Sequence, residues 1–393
     1  MNSVGSVKNK NVLFLQGPMG DFFKRLDSYL QMQGANTHKI GLNAGDWLFA
    51  NKSNYIAYKD TRSNWKFFIR DFLQNYKIDK VFLFGDCRFY QSVLIKEAQK
   101  MDVEVFVFEE GYVRPDFVTL EKWGVNNFSL IPRDPHFYNL LNEEQFLYTK
   151  IKPTRPSHSK MVWSAALYYI FAYIGKIQYP YYEHHRELNP LKEAFYGLKS
   201  FYRKYKYKYI LKDELESIVQ KKYFFVPIQT YNDFQLKVHS EFQTIEEFIE
   251  LTIKSFSLHC DDETYLVLKH HPMDRGRKDY KKYIEQLGKK YKILDKLIVI
   301  YDLHLPTLLD ATLGTITINS TVGLQALYHH SPVKVLGTAI YDIKGLCDQK
   351  TLDCFWKNPA PVDIKLFLKF RHYLIDNTQI NGNFYGYFDF KSI

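Results

Sequence analysis

Four short runs in this chain hold residue types suited to phosphate and proton chemistry. The first is Lys269-His270-His271-Pro272-Met273-Asp274-Arg275-Gly276, which follows the apolar residues 265–268. A lysine, two histidines and an arginine beside a turn can neutralise a phosphate, and a histidine can protonate one as it departs. Zinc competes as a ligand, but adjacent histidines on a strand point apart and no Cys or His partner has ligand spacing. The second is Glu109-Glu110-Gly111-Tyr112-Val113-Arg114-Pro115-Asp116, after the strand-like residues 103–108. Paired carboxylates there can supply a general acid or base, because crowding and partial burial raise one pKa. A solvated loop would carry the same charges.

The third run, Asn319-Ser320-Thr321-Val322-Gly323-Leu324, follows the β-branched residues 314–318. Small hydroxylated residues at a strand-to-helix turn cap the helix, and its free N–H groups would hold a phosphate. A cap without a ligand would read the same way. The fourth, Gln229-Thr230-Tyr231-Asn232-Asp233, ends the strand-like residues 224–227. Asp233 is there a nucleophile, an orienting carboxylate or a plain turn aspartate.

Each run sits where a buried strand should end, and parallel α/β sheets bind ligands beyond the carboxyl ends of their strands. The chain opens with a buried run at 12–15, the turn Gly17-Pro18-Met19-Gly20 and an amphipathic stretch at 22–33, a parallel α/β unit in outline. Further strands are expected at 38–42, 80–84 and 103–108, then at 224–227, 265–268, 297–300 and 314–318. Helices are expected at 244–259, 280–291, 322–328 and 363–375. The expected fold class is α/β, with two Rossmann-like domains facing a cleft. The boundaries are 1–150 for the first domain, 151–215 for a helical aromatic and basic insertion, 216–355 for the second domain, and 356–393 for a C-terminal helix and tail.

Composition narrows the partners. The 393 residues are too many for one compact core and suit two domains. Aromatic residues make up 17%, which favours surfaces for sugars or membrane interfaces. A net charge of +10 favours an anionic ligand, and no nucleic-acid-binding motif accompanies it. In the insertion, Lys199, Arg203, Lys204, Lys206, Lys208 and Lys212 occur with no acidic residue among them, as in a membrane-surface helix or a solvated helix between domains. No apolar stretch reaches the roughly 18 residues of a membrane span, so a soluble or peripheral protein is expected. The polar start gives no signal peptide, and Cys87, Cys260, Cys347 and Cys354 lack zinc spacing and suit reduced thiols. There is no Walker loop, nucleophile elbow, zinc-protease helix or Asp-x-Asp pair.

Taken in order, these runs resemble a known family. Gly17-Pro18-Met19-Gly20 with Phe22-Phe23, Asn43-Ala44-Gly45-Asp46-Trp47, Glu109-Glu110-Gly111-Tyr112 with Arg114-Pro115, residues 229–233, Lys269-His270-His271-Pro272 and Asn319-Ser320-Thr321-Val322-Gly323 follow the order seen in the capsule polysaccharide biosynthesis/export family. The match is closest to its KpsS-like (LipB-like) branch. The resemblance implies a GT-B-like, cytoplasmic glycosyltransferase, peripheral on the inner membrane of a Gram-negative bacterium. It implies retaining transfer of β-Kdo (3-deoxy-D-manno-octulosonic acid) from CMP-Kdo to phosphatidylglycerol or its lyso form, starting a poly-Kdo linker. A KpsC-like transferase and the capsule export machinery are the implied partners, with no metal and no cofactor beyond the donor.

The Glu-Glu-Gly, His-Pro and Ser/Thr trio is also similar to motifs of bacterial sialyltransferases. On that pattern Glu110 matches the acidic-motif residue, His271 with Lys269 and Pro272 the CMP phosphate site, and Ser320, Thr321 and Gly323 the hydroxyl turn. Asp233 is the implied nucleophile, with Glu110 its rival. Arg114 or Arg275 would pair with the sugar carboxylate, and Gly17 and Gly20 would line the cleft loop. A CMP-sialic-acid transferase and a non-enzymatic scaffold of the exporter are the alternatives.

Overall fold

The computed structural model describes residues 4–142, 151–155, 157–184, 189–210, 214–231 and 240–393. The chain forms β1 (Asn11–Phe14), α1 (Phe22–Met32), β2 (Asn36–Gly41), α2 (Ala44–Leu48), β3 (Tyr55–Ala57), α3 (Trp65–Asn75), β4 (Lys80–Phe84), α4 (Phe89–Gln99), β5 (Glu104–Glu110) and β6 (Phe117–Lys122). It continues through α5 (Pro135–Asn139), α6 (His158–Ile174), α7 (Pro190–Ile210), α8 (Glu214–Val219), β7 (Tyr223–Pro227), α9 (Ile245–His259) and β8 (Tyr265–Lys269). The last elements are α10 (Lys281–Lys290), β9 (Leu297–Ile300), α11 (Leu305–Ala311), β10 (Gly314–Thr317), α12 (Thr321–Tyr328), β11 (Val333–Val335), α13 (Leu352–Phe355), α14 (Ile364–Thr378) and β12 (Gln379–Asn381).

These elements divide into two units. The first takes Met1–Leu130, Phe146–Lys192 and Tyr373–Ile393, and the second takes Ile131–Gln145 and Glu193–His372. In the first, the strand order is β12-β6-β5-β4-β1-β2-β3. The strands from β5 to β3 run parallel, while β6 and β12 add antiparallel partners at one edge. Successive residues alternate between two cores. Leu13, Val81 and Val105 pack with Trp65 and Ile69, whereas Val12, Phe14, Phe82 and Phe106 pack with Phe22 and Leu26. Helices cover both faces, and so the central strands are apolar throughout. The second sheet has the order β11-β10-β7-β8-β9, all parallel. Its β7 is buried along its whole length, with Phe224 and Val226 packed against α9 residues Phe248 and Ile249.

Three boundaries differ from the sequence expectation. The expected insertion at 151–215 is divided, because α6 belongs to the first unit and α7 to the second. The expected tail at 356–393 is divided too. Its α14 leads back to the first unit, where β12 pairs with β6 and Phe384 and Phe388 pack edge-on to Phe22 at 4.9 and 4.8 Å. Those aromatic contacts bury the tail and explain why it does not hang free. Residues assigned to the end of the first domain instead join the second unit. Tyr138 on α5 is fully buried against Phe370, and Lys369 Nζ donates to the Leu141 carbonyl at 2.9 Å. Among the described residues, no helix is long and apolar enough to cross a membrane.

Candidate functional site

The second sheet reverses its winding between β7 and β10. The chain adds β8 and β9 on one side of β7, then crosses to place β10 and β11 on the other. A crevice opens beyond the strands at such a switch point. Gln229 follows β7 and Asn319 follows β10, and their amides are joined. Gln229 Nε2 donates to Asn319 Oδ1 at 2.9 Å, and the Asn319 N–H returns a bond to Gln229 Oε1 at 3.3 Å. Tyr231 N–H donates to the buried Asp274 of the next loop at 3.0 Å. The loops after β7, β8 and β10 are therefore tied together at one end of the sheet.

The adjacent histidines separate by role. His270 is buried between the rings of Tyr280 and Tyr301, at 5.5 and 4.9 Å. Its pKa is pushed down to about 4 by burial, with Arg203 and Lys269 adding to the effect and Asp279 opposing it. It is a neutral core residue at pH 7. His271 is partly exposed and caps the 3-10 turn Pro272–Asp274, its Nδ1 accepting from Met273 N–H at 3.1 Å. That bond places the proton of the neutral ring on Nε2, the nitrogen able to donate to a phosphate oxygen. Pro272 holds His271 in extended backbone, which starts the turn.

Cations gather around this loop. Arg203, His271, Arg275 and Lys278 line a small concavity with Tyr301 and Asp302. Burial lowers the Lys269 pKa, Asp302 opposes this, and Arg275 adds to it. A desolvated ammonium of this kind gains from an incoming anion. Arg275 grips Asp302 with two nitrogens, Nε at 2.6 Å from Oδ2 and Nη2 on Oδ1. The sequence reading assigns Arg275 or Arg114 to a sugar carboxylate; in this structure the Arg275 fork is filled by Asp302.

Beyond β10, Ser320 caps α12 by accepting from Val322 N–H at 3.2 Å, and Thr321 begins the helix. The Tyr341 hydroxyl donates to the Ser320 carbonyl. A Cβ at Gly323 would collide with that hydroxyl, so Gly323 is explained by packing rather than by approach of a ligand. Gly17 is likewise filled by Phe23, whose ring would lie 2.6 Å from an added Cβ, and Gly20 has φ +138 beside Ser164. Both glycines serve the turn between β1 and α1.

In the first unit, the winding reverses between β1 and β4. Gly85 follows β4 with φ +68, a backbone region open to glycine, and passes beneath Glu109 at the end of β5. Glu109 carries a carboxyl raised to about 7 by burial, with the charges of Glu110 and Asp86 adding and the Glu110 N–H and Arg88 opposing. Glu110, the residue singled out from sequence, is exposed. Gly111 has no room for a side chain, since a Cβ would strike the Phe117 carbonyl. Tyr112 is buried and donates to Glu121 Oε1 at 2.7 Å while accepting from Asn126 N–H at 2.6 Å. The motif thus holds one proton-active carboxylate above a tightly packed hairpin. Gly111→Ala should cost about 1–3 kcal/mol as overpacking, read as a lower melting temperature; an unchanged value would contradict the close approach. Arg114 is exposed, its Nε donating to the Gly111 carbonyl at 3.3 Å. Asp233 lies outside the described residues.

Several residues were not singled out from sequence. Asp302 and Tyr301 follow β9, and the strand-end rule that found the other runs applies to them as well. Lys39, Gln16 and Tyr168 form a buried polar cluster with Asp46, which the sequence reading names only within the 43–47 run; Gln16 Nε2 donates to the Tyr168 hydroxyl at 2.8 Å and that hydroxyl donates to Asp46 Oδ1 at 3.1 Å. Burial raises the Asp46 pKa against the pull of Lys39, whose own pKa falls to about 8 by burial. This cluster seats α6 on α2 at Gly45, where a Cβ would lie 2.8 Å from the Tyr168 ring. Among the described residues, no group of His, Cys, Asp and Glu is arranged to hold a metal ion.

The fold is that of a two-unit α/β protein whose second sheet carries cations and a helix start at its switch point. The family described as capsule polysaccharide biosynthesis protein matches residues 79–385, and the chain belongs to that family. It is 37% identical to the capsule polysaccharide export protein KpsS of Escherichia coli, covering 96% of this chain and 98% of that one. It is also 37% identical to the capsule polysaccharide modification protein LipB of Neisseria meningitidis serogroup B, covering 96% and 92%. Among solved structures, KpsC, beta Kdo 2,7 transferase, of Thermosulfurimonas dismutans aligns with a TM-score of 0.42 and 13% identity over 92% of this chain and 89% of that one.

Proposed function

We propose that this family member is a retaining β-Kdo transferase. It moves Kdo from CMP-Kdo to phosphatidylglycerol or its lyso form and so starts the linker of a capsular polysaccharide. The observation that carries the reading is the convergence of the β7, β8 and β10 loops at the switch point, where Lys269, His271 and the start of α12 offer positive charge. Departure of CMP leaves a phosphate whose growing charge needs donors already in place. His271 Nε2–H, the Lys269 ammonium and the positive end of α12 fill that role.

Retention requires two displacements. In the first, a carboxylate attacks the anomeric carbon, the bond to the phosphate oxygen breaks, and CMP leaves with the electron pair. We assign this carboxylate to Asp233, two residues after the anchored Tyr231. In the second, the acceptor hydroxyl attacks the same carbon, Asp233 departs, and a base takes the hydroxyl proton. Glu109 suits the base better than Glu110, because a carboxyl raised to about 7 exchanges a proton near neutral pH. The protein acts peripherally at the cytoplasmic face of the inner membrane, alongside a KpsC-like transferase and the exporter. With CMP-Kdo and lyso-phosphatidylglycerol, purified protein should release CMP continuously only when lipid is present, with at most one equivalent released in its absence, and NMR should show a β-linked product. An α-linked product would overturn the double displacement.

A further inference from the structure

We infer that α7 lies in the plane of an anionic bilayer and holds the loop of residues 269–277 on its inner face, so that lipid docking and donor binding strengthen one another. The inference rests on the reading of that loop as part of the donor site. At 100° per residue, Leu191, Phe195, Leu198, Tyr202 and Tyr205 fall on one narrow stripe of the helix. Their exposures are 83%, 61%, 72%, 66% and 51%, so the stripe is bare along most of α7. Large apolar side chains left in water at helical spacing mark an interaction face.

Charge identifies the occupant. Lys192, Lys199 and Lys206 fall along one flank of the stripe, and no acidic residue occurs from Lys199 to Lys212. Lysines flanking an apolar stripe lay their stems along it and set their ammonium groups at the level of lipid phosphates. A neutral protein partner would leave those charges without a counterpart.

The opposite face of α7 is clamped to the candidate donor loop. Glu193 pairs with Arg277, whose guanidinium lies 4.9 Å over the Tyr196 ring. Gly276 packs directly on the Tyr196 carbonyl, with no room for a Cβ. Arg203 Nη1 donates to the Arg275 carbonyl at 2.8 Å, and Tyr207 stacks on Tyr301 at 4.1 Å. Tyr301 in turn stacks on His270. A surface that binds α7 in this seated orientation favours the seated loop, and by reciprocity a ligand that favours the seated loop tightens surface binding.

The test is CMP titration calorimetry on the full chain, without vesicles, with phosphatidylcholine vesicles, and with equimolar phosphatidylcholine and phosphatidylglycerol vesicles. Co-sedimentation is measured in parallel. The anionic vesicles should capture the protein and tighten CMP binding about fivefold, the lower end of ordinary coupling. Phe195→Glu with Leu198→Glu, at two exposed positions, should abolish capture and the gain while leaving CMP affinity without vesicles unchanged. Glu193→Gln should keep capture and lose most of the gain. Equal capture by neutral vesicles, or capture that survives the paired glutamates, would overturn the docking face. Capture with unchanged CMP affinity would overturn the coupling. A chain that binds no CMP under any condition would sink the donor reading and the coupling with it, while co-sedimentation still decides the docking face.

Discussion

Glu109→Gln should lower turnover by about 10²–10⁴-fold and remove the pH dependence of the rate near neutrality. The sign follows from the role. A base works when ionised, and burial raises the Glu109 carboxyl to about 7, so the wild-type rate should climb as pH rises through that value. The glutamine cannot take a proton, so its residual rate should stay flat there. A general acid would give the reverse slope. Stability supplies an independent readout. Because the folded value lies above the ordinary carboxylate range, the folded chain binds the proton more tightly than the unfolded chain. Wild-type stability should therefore fall as pH rises from the ordinary carboxylate range to about 7, and the glutamine variant should show a smaller decline, since the raised Glu121 carboxyl still contributes one. Glu121 is also raised to about 7 by burial, but Tyr112 and Ser129 occupy its oxygens. Its replacement should leave the rate limb in place, whereas loss of the limb in that variant would move the base to Glu121.

His271→Ala should lower turnover by about 10²–10³-fold, the usual effect of removing one donor from a developing charge. It should weaken CMP binding as well, since the same Nε2–H would meet the phosphate before and after bond breaking. His271→Gln should recover part of both losses because its amide can donate from a similar position. Recovery separates donation from a role in shaping the turn, where Nδ1 accepts from Met273 N–H. His270→Ala offers the contrast. That ring is buried and stacked between Tyr280 and Tyr301, so its loss should lower the melting temperature first. Equal, purely thermal effects at both positions would remove His271 from the chemistry.

Much of the scaffold could be read from local pattern. Residues 81–84 and 265–268 are apolar runs of strand length, and the polar residues that follow them lie at the ends of β4 and β8, as parallel strands require. What escaped reading depended on distant partners. The pairing of Thr119 with Gln379 joins residues far apart in the chain, so nothing near β6 marks β12 as its neighbour. The choice between Glu109 and Glu110 turns on which carboxyl is enclosed at the end of β5, and two adjacent glutamates look alike in sequence. Arg275 seemed available for a ligand because its partner Asp302 follows another strand. The basic aromatic segment was visible as composition, but only the helix shows that its apolar stripe and its clamped residues lie on opposite faces.

The most direct test of the central claim is the mass of the product. Purified protein, CMP-Kdo formed in situ and a fluorescent lyso-phosphatidylglycerol should give a lipid heavier by one Kdo residue. No gain with CMP-Kdo, together with a gain from CMP-sialic acid, would contradict the donor assignment. No gain from either donor, with folded protein that still binds anionic vesicles, would contradict the transferase reading itself and favour a scaffold of the capsule exporter.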